Sequence, residues 1–421
     1  MDFRFGLRML LKTPGFTAVA ILSLALGIGA NTAIFSLVNA ILLKMLPVPN
    51  PEQMVVLTNR SASGVNIGMS NGVRDNLTTR EFEALRANTG IFAGIFASQS
   101  QVNRRDVEIG GLAPEPVRMR LVSAGYFEAL KTRMAAGRSF TGTDDRGPGT
   151  APYAVASYDF WQRRFGGSSK IFDDTIQAGR ATLRVIGVAE PRFRGEAVGP
   201  APDLWIPLNM QPQLMPGRNW LRDDPEHPFE KVSWLHVLGR LKPGVTVKQA
   251  QANVDLAFAR VVADEFAGLP ENERKEATRQ SVKISEASTG VSSFRGDATE
   301  PLFVLMGIVA MVLLIACANV ANLLLARATA RQKEIDIRLA LGAQRARVIR
   351  QFLAESILLA VLGGIGGVGL AYLGVTALLK FLQTGPDGVP LDVSPDWRVM
   401  TFSVVVSLLR NLNAELLLSM S

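Results

Sequence analysis

The longest run without a charged side chain extends from Thr13 to Leu43, 31 residues between Lys12 and Lys44. It limits this chain's folding choices more than any other feature. A bilayer core is crossed by about 20 apolar residues of helix, so a helix here is long enough to cross and to project beyond. Arg4, Arg8 and Lys12 ahead of it look like the basic start of a secretory signal. The apolar part of such a signal is only about 7–15 residues long, and the segment therefore reads as an uncleaved anchor.

Two further uncharged runs follow, Leu302–Ala326 between Glu300 and Arg327, and Ser356–Leu379 between Glu355 and Lys380. These runs explain why charged residues make up only 19% of the chain, against roughly 25% in soluble domains. The third run carries Gly363, Gly364, Gly366, Gly367 and Gly369, and small residues let membrane helices approach closely. Whether this glycine face meets a particular partner stays open at this point. Between the second and third runs lie Arg327, Arg331, Lys333, Arg338, Arg345, Arg347 and Arg350 against Glu334 and Asp336. Positive charge in short loops marks the cytoplasmic side, so the N-terminus is expected inside and the long segment from Pro47 to Glu300 outside. This placement of charge also argues against nucleic acid as the partner behind the net charge of +8. A fourth run, Val399–Leu409, is broken by Arg410 after 11 residues, about 16 Å of helix and half a bilayer.

The expected organisation is a cytoplasmic segment 1–12, a first span with stalk 13–46, an outer domain 47–300, a second span 301–326, a cytoplasmic loop 327–351, a third span 352–380, an outer loop 381–397 and an incomplete fourth span 398–421. Within the outer domain, Tyr153–Ser157, Ala181–Val188 and Ser233–Leu241 read as strands. Tyr158–Phe165 reads as a helix stopped by Gly166-Gly167, and Thr246 as the N-cap of a helix running to about Ala267. Strands interleaved with helices imply α+β or α/β units, with split βαβ as one form. The Gly-, Pro- and Asp-rich stretches Gly142–Pro152, Glu190–Pro202 and Met215–Pro228 are expected to be surface loops.

Few residues point to chemistry. Cys317 is the only cysteine, which excludes an intrachain disulfide and any zinc site with two thiolates. His227 and His236 are too far apart for a helical metal pair and read as surface or strand residues. Asp144 and Asp145 make a carboxylate pair with no adjacent base, expected to be solvated. No phosphate-binding G-x-x-x-x-G-K-[ST] loop, H-E-x-x-H or G-x-S-x-G motif occurs. No cofactor and no metal are expected, and the chain is not expected to be an enzyme.

Several stretches together resemble one family. Phe5-Gly-Leu-Arg-Met-Leu-Leu-Lys-Thr-Pro-Gly-Phe16 and Leu24-Ala-Leu-Gly-Ile-Gly-Ala-Asn-Thr-Ala-Ile-Phe35 are similar to the start of MacB/FtsX-type ABC transporter permeases, in particular the group abundant in acidobacteria. Val122–Leu130, Gly137–Phe140, Ser157–Gly166 and Val185–Val188 resemble that family's periplasmic core domain, and Arg331–Ala343 with Arg350–Ser356 its cytoplasmic loop and the start of its third helix.

The resemblance implies an α-helical membrane protein with an inserted α+β or α/β periplasmic domain: a long anchor helix, the periplasmic core domain, then FtsX-like transmembrane helices. It implies a permease subunit in the bacterial inner membrane that passes the ATP-driven motion of a partner ATPase to the periplasmic domain for efflux or export. Glu334, Ile335, Arg338, Leu341, Gly342 and Ala343 match the contact with that ATPase. Ile335, Ile337, Leu339 and Leu341 flanked by charges also suit an amphipathic surface helix. Further implied partners are membrane lipid, a second permease copy or homologue, a periplasmic adaptor and an outer-membrane channel. The chain departs from the family's pattern after Ser407, and a C-terminally truncated or altered chain is the expectation there. An FtsX-like subunit that signals to a periplasmic hydrolase, a non-functional truncated permease and a passive adhesion module are the alternatives. The coupling-like loop speaks against the last, and the outer domain's size favours the MacB-like reading.

Overall fold

The computed structural model describes residues 11, 14–59, 65–66, 76–145, 147–197, 199, 201–217, 219–222, 232–268, 270–291, 299–316, 318–319, 322, 357–359, 361–374 and 376–377 of the chain. Two units emerge: residues 44–297, and residues 1–43 with 298–421. The expected cytoplasmic loop 327–351, the expected fourth span 398–421, Cys317 and His227 lie outside the described residues. Helix α1 spans Pro14–Val38 and continues as a π-helical turn over Asn39–Leu43.

The outer unit comprises β1 (Met54–Thr58), β2 (Val65–Asn66), α2 (Thr79–Asn88), β3 (Phe92–Gln99), β4 (Asn103–Ile109), β5 (Glu115–Val122), α3 (Tyr126–Leu130), β6 (Met134–Gly137), β7 (Tyr153–Ala156), α4 (Tyr158–Phe165), β8 (Thr175–Ala178), β9 (Ala181–Ala189), β10 (Leu204–Pro207), α5 (Gln211–Leu214), β11 (Val232–Ser233), β12 (Leu235–Leu241), α6 (Val247–Glu265), α7 (Glu271–Ala277) and β13 (Lys283–Glu286). The expected strands and helices are found, except that Ser233–Leu241 divides at Trp234: Ser233 ends β11, paired only with β2, and β12 begins at Leu235. Ser157 accepts the Phe160 N–H to start α4, and Gly166 takes φ 59° to end it. Thr246 and Gln249 form a reciprocal capping box at the start of α6, as Thr78 and Glu81 do for α2.

An 11-stranded sheet runs β10-β7-β9-β8-β4-β5-β3-β12-β1-β13, with β6 paired to β9. Because β10 also pairs in parallel with β5, the strands β10, β7, β9, β8, β4 and β5 close into a ring. The remaining strands β3, β12, β1 and β13 extend from it as an antiparallel sheet.

At its centre, along β12, that sheet is buried on both faces. Ala97, Val117, Met119, Leu121, Leu235, Val237 and Leu241 join a core with Phe82 and Leu85 of α2 and Val254, Phe258 and Val262 of α6. The alternate residues Phe96, Val122 and Leu238 join a second core around α3, with Phe127, Phe140, Phe193 and Trp205. Full burial of each large apolar side chain stabilises by about 1.5–3 kcal/mol. Leu46 and Val48, where the chain comes in, and Ala287 and Val291, where it leaves, also belong to this second core. Both ends of the domain thus meet at one foot, and the Leu46 N–H donates to the Ser288 carbonyl at 2.9 Å.

Among the described residues three helices are long and apolar enough to cross a membrane: α1, α8 (Thr299–Ala316) and α9 (Ile357–Gly374). They pack through glycine. A Cβ on Gly363 would lie 2.7 Å from Leu24 Cβ, and one on Gly367 2.8 Å from Ile28 Cγ2. On α1 itself Gly27 faces Leu313 and Ala316, and Gly29 faces Gly367 and Leu370. The glycine face of the third apolar run therefore has a partner, and that partner is α1.

One expectation needs correcting. The stretch Glu190–Pro202 is not simply a surface loop: Phe193 and Glu196 are buried, the latter completely. Asp144 and Ala151, in the stretch 142–152, are buried as well. Glycine and proline report how a backbone turns, not where it lies, and a turning segment goes inside when its polar groups find partners there.

Candidate functional site

Three of the most deeply buried polar residues, Ser98, Arg120 and Glu196, gather in the second core. After β9 the chain turns at Pro191, takes positive φ at Arg192 (70°) and Gly195 (92°), and drives Glu196 inward. A Cβ at Gly195 would stand 2.9 Å from the Tyr126 hydroxyl, so both its φ and this close approach require glycine.

Arg120 on β5 meets Glu196 at 2.9 Å, from Nη2 to Oε1, with 2% of its side chain exposed and none of the carboxylate's. Ser98 on β3 donates to Oε1 and the Tyr126 hydroxyl to Oε2. The Arg120 Nε donates to the Gln99 carbonyl at 2.9 Å, and Nη2 also faces His236 Nδ1 at 3.4 Å. The pleat brings these groups together: Ser98 pairs in register with His236 and with Val122. Arg120 and Val122 then share a face of β5.

Burial and charge set the protonation states. Burial alone would raise the Glu196 pKa, but the Arg120 guanidinium and the hydrogen bonds from Ser98 and Tyr126 outweigh it and hold the carboxyl below its ordinary value. Burial, reinforced by the Glu196 charge, pushes the Tyr126 phenol well up. Burial and then the Arg120 charge bring His236 down to about 4. His236 is thus neutral near pH 7, and its Nδ1 accepts from the guanidinium.

A second clamp lies beside the first. Arg240 of β12, 1% exposed, donates from Nε to the Ala129 carbonyl at 2.7 Å. Its Nη1 donates to Pro49 O at 2.7 Å and Asn50 O at 2.9 Å. It fastens the incoming segment to the end of α3. The outgoing segment is held by Glu196 itself, whose carbonyl accepts the Val291 N–H at 2.9 Å.

This constellation contains a serine, a histidine and a glutamate but is not wired for nucleophilic catalysis. The serine hydroxyl bonds directly to the carboxylate, whereas the imidazole faces a cation. Among the described residues no group of three His, Cys, Asp or Glu side chains is placed to hold a metal. Through Arg120, Arg240 and Glu196 both ends of the domain are joined to its sheet.

The residues singled out from sequence fare differently. Asp144 caps the 3-10 turn Gly142–Asp145, accepting from Thr141 N–H at 2.8 Å and from Arg138 Nη1 at 2.7 Å. Burial would raise its pKa, but Arg138 and Thr141 hold it down. His236 is a strand residue, within the cluster. Glu334, Ile335, Arg338, Leu341, Gly342 and Ala343 lie outside the described residues. Glu196 and Arg120 were missed. The available signal was in β12, buried along its whole length, where His236 and Arg240 alternate with apolar neighbours, and in Arg120 between Met119 and Leu121 near the buried end of β5.

Comparison with known proteins is consistent along the chain. Residues 17–257, more than half of it, match the MacB-like periplasmic core domain, and residues 306–410 match the FtsX-like permease C-terminal domain. The macrolide export ATP-binding/permease protein MacB of a Shewanella species is 27% identical over 280 residues, covering 66% of this chain and 36% of that protein. The ABC transporter permease YknZ of Bacillus subtilis is 24% identical over 289 residues, covering 68% and 63%. The chain thus spans about a third of the MacB relative and under two thirds of YknZ. Among solved structures, the periplasmic region of MacB from Actinobacillus actinomycetemcomitans aligns with a TM-score of 0.37 at 11% identity, covering 61% of this chain and 94% of that one.

Proposed function

This chain belongs to the MacB/FtsX-type ABC transporter permease family, and from that premise we propose that it is the membrane subunit through which a partner ATPase drives motion of the outer domain, for efflux or export. The observation that carries this reading is the foot. A domain whose two ends are joined to each other and clamped by Arg240 and Glu196 to one sheet face receives any displacement of its flanking segments as a single push. A passive surface module has no need of such a joint.

In this proposal the N-terminus is cytoplasmic, residues 47–300 lie in the periplasm, and the protein resides in the inner membrane. Glu334, Ile335, Arg338, Leu341, Gly342 and Ala343 form the contact with the ATPase. A second permease copy or a homologue completes the transporter, and a periplasmic adaptor and outer-membrane channel are the external partners.

The test is a detergent pull-down of the tagged chain from its native membrane beside Leu341→Asp, with mass spectrometry of what co-purifies. An ABC ATPase recovered with the parent chain and lost with Leu341→Asp is the expected result. Equal recovery with both would end the assignment of this loop, and a cell-wall hydrolase in place of a channel would turn the reading toward signalling.

A further inference from the structure

Glu196 does two jobs at one position. Its carboxylate pairs with the buried guanidinium of Arg120, and its carbonyl accepts the N–H of Val291, just before the chain leaves the domain. Ala197 and Val291 form a parallel β-bridge at the same place. Gly290, at φ 79°, lies directly against the Glu196 carbonyl, where any Cβ would collide with that oxygen and come 2.8 Å from Leu46 Cδ2. Leu46 in turn bonds to Ser288, and Ala287 N–H donates to Met54 O at 2.8 Å.

Stability alone does not account for an ion pair at this depth. Desolvating two charges costs several kcal/mol each, and apolar residues of similar volume commonly serve as well or better. What a buried pair supplies, and an apolar pair does not, is a sharp dependence on one charge. The positive φ values at Arg192 and Gly195 place turning points just before Glu196, and Gly199 (φ 145°) places one just after.

We propose that Glu196 is a latch: its ion pair with Arg120 holds the outgoing segment 287–291, and through Leu46 the incoming one, against the sheet, and loss of that pair frees the foot while the sheet stays folded. The latch gives the driven motion of the preceding section a defined breaking point. It rests on that reading only for its use, not for its existence.

The test is hydrogen–deuterium exchange of the full chain in detergent, comparing the parent with Glu196→Gln, which keeps the shape and removes the charge. Peptides covering 44–48 and 287–291 should exchange about tenfold faster or more, since a hydrogen bond to a charged group is worth about 1.5–3 kcal/mol. Peptides from β12 should be unchanged. Tyr126→Phe removes one hydrogen bond and keeps the ring, and should give a smaller change in the same peptides if Glu196→Gln fails to fold. In a Cys317→Ser background, a disulfide between Ala197→Cys and Val291→Cys should restore slow exchange to Glu196→Gln. Unchanged exchange at the foot overturns the latch. So does acceleration of foot and β12 together, which would make the pair a support of the whole domain. ATPase recovery from the same preparations reports on the proposed function separately.

Discussion

The outer domain and the helices solve opposite packing problems. Of the 23 large apolar side chains exposed among the described residues, only Met45, Leu112 and Leu256 belong to the outer unit. The helices lean the other way: α1 buries Ala20, Ala25, Gly27, Gly29, Thr32 and Ser36 with Leu24, Ile28 and Val38, while Val19, Leu22 and Leu26 face outward. Water makes apolar burial the driving force in one unit. In lipid that force is absent, and close approach of small residues takes its place. Charge follows the same division. The outer domain can bury Arg120 and Glu196 because sheet carbonyls, hydroxyls and an imidazole surround them. The packed helix faces carry no charged group among their described residues.

The sharpest way to break that comparison is Arg120→Ala. It leaves a fully buried carboxylate without its cation, and orphaning a buried charge costs about 3–5 kcal/mol. Hydrogen exchange of the full chain in detergent should show the loss at the foot, as faster exchange in peptides 44–48 and 287–291 than in Glu196→Gln, with the β12 peptides near the parent. Replacing both partners, Arg120→Met with Glu196→Met, should cost much less. Equal losses from the two variants would mean that volume, not charge, matters at this site.

Acid should act on the same cluster. The His236 pKa falls to about 4 in the fold from an ordinary value near 6.5. Between those values the unfolded chain binds more protons than the folded one, so stability falls as pH drops from about 6.5 to about 4 and then levels off for this group. Glu196, held below its ordinary value, adds a further loss as pH falls through its folded pKa. The histidine effect is on the order of 3 kcal/mol. Denaturant unfolding of the outer domain at pH 7 and pH 4.5 should show it, and His236→Gln should flatten the slope in that window.

Much of the architecture was legible because it depends on local chemistry. The 31-residue uncharged run announced α1, and Ser157, Gly166 and Thr246 announced the ends of two helices through caps that need no tertiary partner. The polar cluster was not legible, since Glu196 lies in a stretch whose prolines and glycines signal turning, 76 residues from Arg120 and 40 from His236 along the chain. Only the closure of β5, β3 and β12 into one sheet brings them together, and nothing local specifies that pairing. The ring made by β10 on β5 was equally hidden, because strand identity carries no label of its neighbour. The glycine face of α9 falls between: its spacing promised close approach, while the identity of the partner depended on the fold.

That glycine face offers the smaller test of the comparison. Gly367 abuts Ile28 of α1, whereas nothing lies within 4 Å of a Cβ built on Gly369. Leucine at both positions raises hydrophobicity equally, so any difference between the variants reports packing and not insertion. Gly367→Leu should force α1 and α9 apart and cost about 1–3 kcal/mol, as overpacking does. Gly369→Leu should change stability by about 0.5 kcal/mol or less. Both should reach the membrane at parental levels, and the midpoint of heat-induced aggregation in detergent would separate them. A fall of equal size for both would show that glycine serves this helix through its backbone and not its surface. The division between a unit held by charge and apolar burial and one held by close approach would then need another basis.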